Sequence, residues 1–123
     1  MWRFAFIAFL ILHGALHAAI WATPKQEGRD IPFDASNSWL LGGQRALAVA
    51  MALAVAGLLV ASGVGLWAHA EWWRPVAVTG LAGSFILMVL YFNPWFLLIQ
   101  AVNLALVAAL VWGAWPTKSM LGV

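Results

Sequence analysis

Two histidines four residues apart, His13 and His17, sit in a run without Asp, Glu, Lys or Arg from Phe4 to Ala22. Residues at i and i+4 share one face of a helix. An imidazole pair on one face can ligate a metal, hold a cofactor, pass protons near neutral pH, or hydrogen-bond a neighbouring helix. Each role needs further groups. A metal lacks a third ligand within the apolar run, unless Asp30 or Asp34 folds back, so no metal site is expected. A haem with two axial histidines needs them on different helices, and His69 lies in a distant segment. Haem held by one histidine, or a quinone hydrogen-bonded by one, are the cofactors left open, and the leading expectation is no cofactor. Ser84 beside a histidine makes no catalytic triad without an acid to orient the ring. The chain is therefore not expected to be an enzyme. Coupled transport usually retains an acidic or basic group inside the membrane, and the apolar runs hold none.

What positions the pair is set by composition. Hydrophobic residues make up 65% of the 123, and six basic plus four acidic residues supply all the charge. A soluble domain carries about 25% charged residues. Ten charges cannot coat a water-facing surface of this size, so most of the surface must meet lipid. Runs of about 20 uncharged residues indicate transmembrane helices. A β-barrel would need segments of alternating polarity, which are not seen. The net charge of +2 comes without a basic run, so no nucleic-acid partner is implied. The absence of cysteine excludes disulfides, thiolate catalysis and iron–sulfur ligation by this chain. Arg3 and the small residues Ala18, Ala19 and Ala22 imitate a secretory signal, but the run exceeds the roughly 7–15 residues of a signal core, so the segment is expected to be retained.

The predicted fold is all-α: one four-helix transmembrane domain, up-down-up-down, with helices near 4–22, 45–68, 76–92 and 95–115. Pro24 ends the first helix. Residues 23–44 form a polar loop in which 34–41 have the pattern of a short surface helix. Trp67 to Pro75 and Asn93-Pro94 are short connections, which make antiparallel neighbours. Trp2, Trp21, Trp67, Trp72, Trp73, Trp95, Trp112 and Trp115 lie near helix ends and are assigned as interfacial anchors. In the second helix, alanines form two series, 46/50/54 and 48/52/56, on nearly opposite faces. Small residues let helices approach closely in lipid, so this helix is expected between two neighbours. Ala50, Ala54, Gly57, Ala61 and Gly65 are its expected packing row.

Depth along the helices sorts the polar residues. His17 lies five residues from Ala22, and Gln100 five from Trp95; His13 and Asn103 are nine and eight residues in. At about 1.5 Å per residue these pairs match, and Ser84 falls at the same depth. The sequence thus predicts a buried polar layer of His13, His17, Ser84, Gln100 and Asn103, nearer the long-loop side.

His13-Gly14-x-x-His17, Trp72-Trp73-Arg74-Pro75 and Asn93-Pro94-Trp95 together resemble a family of small, uncharacterised four-helix bacterial membrane proteins, and more loosely the DoxX-like proteins. The resemblance implies the same fold and a bacterial inner membrane, but no activity. Basic residues divide three against three between the two sides, so the positive-inside rule does not decide the orientation, and cytoplasmic termini are the expectation. The expected function is a non-catalytic accessory or assembly subunit of a larger membrane complex, electron transfer among the candidates. Its partners would be the lipid bilayer and other membrane subunits, or further copies of itself. The alternatives are a haem-, quinone- or small-ligand-binding protein using the polar layer, and a small solute or proton transporter.

Overall fold

The computed structural model describes residues 2–22 and 38–123. Its elements are α1 (Trp2–Ala22), α2 (Arg45–Trp67), α3 (Trp73–Leu90), a 3-10 turn (Pro94–Phe96) leading into α4 (Leu97–Val111), and a short α5 (Lys118–Leu121). Among the described residues, four helices are long and apolar enough to cross a membrane: α1, α2, α3, and α4 counted with its 3-10 turn.

Local chemistry sets the boundaries. Pro75 occupies the first turn of α3, where its missing N–H leaves no bond unmade. Asn93 caps the turn into α4, its Oδ1 accepting from the Trp95 N–H at 3.0 Å. Expected to run to residue 115, α4 stops at Val111. The Trp112 and Gly113 N–H groups both close onto the Ala108 carbonyl, and Ala114 enters the left-handed region at φ 48°. Thr117 then caps α5. The surface helix expected over 34–41 lies outside the described residues as far as 37. From Ser38 the chain makes a tight turn instead, with Ser38 and Gly42 exchanging two backbone bonds of 2.9 Å. A glycine suits position 42, where φ is +72°. This turn covers the last carbonyls of α3: Ser38 Oγ donates to Leu90 O at 2.5 Å and Trp39 Nε1 to Val89 O at 2.6 Å.

The second helix packs against both α1 and α3, and α3 packs against α4. One apolar cluster gathers Phe6, Leu10, Leu59, Leu66, Trp73, Leu81 and Leu110. The other gathers Trp21, Ala48, Ala52, Leu87, Met88, Tyr91 and Phe96. The expected packing row of α2 needs correction. Ala50, Ala54 and Gly57 face outward and Ala61 is half-buried, while Ala48, Ala52 and Ala56 are buried. A Cβ on Gly57 would meet nothing within 4 Å. Both neighbours of α2 share one broad side, so only one alanine series can serve them. The tight approaches occur at other glycines. A Cβ on Gly14 would come to 2.9 Å of the Ala56 carbonyl oxygen, and one on Gly63 to 2.8 Å of Ile11. Gly65, the last of the expected row, is buried under the Trp72 ring.

Side chains tie the helix ends together in two groups. Arg3 of α1 donates to His69 Nε2, just beyond α2. Arg74 of α3 donates to Leu110 O of α4 at 3.3 Å and to Pro116 O at 2.7 Å. At the opposite end, Tyr91 Oη donates to Gln44 O before α2 at 2.7 Å. Trp21 of α1 meets the Tyr91 ring edge-on at 5.6 Å and stacks on Phe96 at 6.0 Å.

Candidate functional site

Three helices converge on a chain of hydrogen bonds. His17 Nδ1–H donates to the His13 carbonyl one turn earlier, at 2.9 Å. That leaves Nε2 as an acceptor, and the Ser84 hydroxyl of α3 donates to it at 2.7 Å. Ser84 Oγ in turn accepts from Asn103 Nδ2 of α4 at 2.8 Å. Each donor has one acceptor, and the chain runs in one direction from α4 through α3 to α1. Ser84 and Asn103 are fully buried, and His17 nearly so.

The remaining polar residues stand beside this chain. Asn103 also adjoins His13. The His13 ring lies between Phe9, with centroids 5.4 Å apart, and His17 at 4.9 Å. Gln100 donates through Nε2 to the Phe85 carbonyl at 3.3 Å, not to His17 at matching depth. His13 Nε2, Gln100 Oε1 and Asn103 Oδ1 are buried without a hydrogen-bond partner. A small cavity of about 40 Å³ touches both histidine rings, walled by Leu16, Ile20, Met88 and Phe96. Room for one water needs about 10–15 Å³ of such space, so the cavity suits water or a comparably small group.

This geometry limits the chemistry. Ser84 donating to His17 has the form of a nucleophile–base pair, but a backbone carbonyl, not an acid, orients the ring. Ser84 is fully buried, and it does not line the small cavity beside the histidines. Two rings 4.9 Å apart on one helix cannot flank a macrocycle. Among the described residues, no three His, Asp or Glu side chains gather at a point that could hold a metal.

The tryptophans divide. Trp2, Trp67, Trp72, Trp95, Trp112 and Trp115 are exposed, as anchors must be. Trp21 and Trp73 are not lipid-facing anchors: they are 1% and 6% exposed. Trp21 closes one end of the bundle, and Trp73 packs edge-on against Phe6 at 6.0 Å. Sequence reasoning missed the role of Arg74, whose acceptors are backbone carbonyls. By spacing its partner would be Glu71, three residues earlier, whereas the structure gives it the carbonyls of Leu110 and Pro116. The chain matches no family model, no curated protein and no solved structure.

Proposed function

We propose that the chain is an integral membrane protein whose four long helices cross a bacterial inner membrane up-down-up-down. It works as a non-catalytic accessory or assembly subunit of a larger membrane complex. One observation carries this reading: the polar groups at membrane depth are turned inward and mostly bonded to one another, whereas apolar faces point outward. The His17–Ser84–Asn103 chain joins α1, α3 and α4 through buried side chains. Orphan polar groups in hydrocarbon cost several kcal/mol each, so such a chain fixes helix register strongly even though each bond contributes only about 0.6 kcal/mol. Meanwhile Leu97, Leu98, Leu104, Val111 and Trp112 of the α4 side are more than half exposed. The test is native electrophoresis of membranes solubilised in mild detergent. Migration with one defined complex, whose abundance falls when this chain is deleted, is the expected result. Migration at the size of the free chain, with every membrane complex intact in the deletion, overturns the proposal.

A second reading is a small-ligand protein, haem or quinone included. It is favoured by the unpartnered atoms His13 Nε2, Gln100 Oε1 and Asn103 Oδ1. Purified protein would then carry a chromophore or an extractable quinone that His13→Ala loses. Colourless, quinone-free protein rejects it.

A further inference from the structure

The end of the molecule that gathers the start of α1 and the end of α4 carries a second constellation, apart from the polar layer. A cavity of about 520 Å³ opens there, with Trp73, Pro75 and Leu121 as apolar lining and His69, Arg74 and Lys118 as its polar groups, joined by Glu71. Arg74 is held in place: its guanidinium lies 5.1 Å from the Trp73 ring and donates to Leu110 O and Pro116 O. Arg3 is joined to the same wall through its bond to His69. Among the lining side chains Arg74 and Lys118 carry positive charge against the one negative charge of Glu71, and Arg3 stands behind His69. A guanidinium fixed by carbonyls keeps its charge, because those acceptors are dipoles and do not neutralise it. The position is also defined, since Trp67, Trp72 and Trp112, all at least half exposed, ring this end as interfacial tryptophans do. The short helix α5 supplies Lys118 and Leu121 to this cavity. Through Met120 it also walls an apolar groove of about 180 Å³, formed with Trp2, Phe6, Phe9 and Trp115.

The geometry points to this cavity as a binding site for the headgroup of an anionic phospholipid. The phosphodiester lies against Arg74 and Lys118, with Trp73, Pro75 and Leu121 as the apolar wall beside it. Basic pockets between helices at the membrane surface recognise such headgroups, with about 1 kcal/mol for each nearby Lys or Arg, or roughly fivefold in affinity. The inference rests on the membrane-spanning reading, which is checked separately: alkaline carbonate leaves a spanning protein in the membrane pellet, and its release would sink that reading instead.

The test is lipid titration of the delipidated full chain in detergent, followed by native mass spectrometry. Phosphatidylglycerol is expected to bind several-fold more tightly than phosphatidylcholine of the same acyl chains. Lys118→Gln should lower its affinity about fivefold, and Lys118→Arg should restore it. Lys118 is exposed and its side chain takes no part in the core, so the variant keeps its fold. Equal binding of the two lipids, or no change in Lys118→Gln, overturns the assignment. Inorganic phosphate that competes at the same concentration as the lipid would mark a free-phosphate site and overturn it too.

Discussion

The two ends of the bundle are closed by different chemistry. Where α1 ends, Trp21, Tyr91 and Phe96 fill the space with rings, and the Tyr91 hydroxyl is spent on the Gln44 carbonyl. Where α1 begins, guanidinium groups reach across to a ring nitrogen and to carbonyls, and a cavity opens beside Arg74. Aromatic closure fills this end with rings and leaves only the small cavity of about 40 Å³ that Trp21 and Phe96 share with the histidines. Cationic closure bonds the helices but keeps its charge on offer. The polar layer lies nearer the aromatic end, which is the end that can protect it. The difference teaches that similar residue types can close an end in different ways: of two buried tryptophans, Trp21 packs among rings beside a small cavity, and Trp73 lines a much larger one beside a guanidinium.

The contrast is broken most directly at Trp21. Trp21→Ala should lower stability by about 3 kcal/mol or more, as removal of a buried large aromatic does. Trp112→Ala at the other end should change it by less than about 0.5 kcal/mol, because that ring is 81% exposed. Thermal unfolding in one detergent compares the two, and equal losses would erase the distinction. Next in size is Ser84→Ala, which strands His17 Nε2 and the Asn103 amide. A loss of about 1–3 kcal/mol is expected, measured the same way, and Ser84→Thr should recover part of it. Tyr91→Phe removes one bond to a carbonyl while keeping the ring, for about 1 kcal/mol. A larger loss would show that the hydroxyl, more than the rings, holds this end. The smallest effect belongs to the open end. His69 sits at φ 59°, a conformation that glycine adopts without penalty. His69→Gly relieves that cost but gives up the bond from Arg3, so the melting temperature should move by no more than a degree or two, in line with surface substitutions.

The lengths of the apolar runs and the turn residues were enough to place four helices to within a few residues, α4 apart. The position of each polar residue along its helix was legible as well, because the rise per residue is fixed. His17, Ser84 and Asn103 do meet, although His17 reaches Ser84 in place of Gln100. What could not be read was which face turns inward. In water, polarity marks the outer side of a helix. In lipid both sides are apolar, so the two alanine series of α2 look alike, and only the structure separates Ala52 from Ala54. The same ambiguity made Trp21 and Trp73 look like anchors. Position along the helix axis placed them correctly at its ends, while the rotation that buries them left no mark on composition. Arg74 was hidden for another reason, since backbone carbonyls have no letter in a sequence.

The order of helix contacts bears on biogenesis. α1 meets α2, α2 meets α3, and α3 meets α4, so the dense pairings follow the order in which the chain is made. On the proposed membrane-spanning reading, each hairpin can dock as soon as its second helix enters the bilayer, without waiting for a distant partner. The contact of Trp21 on Phe96, at the turn into α4, can form only after the first three helices have been made. A nascent chain stalled before α4 would therefore hold a three-helix sheaf, with Ser84 already donating to His17 and its oxygen still awaiting Asn103.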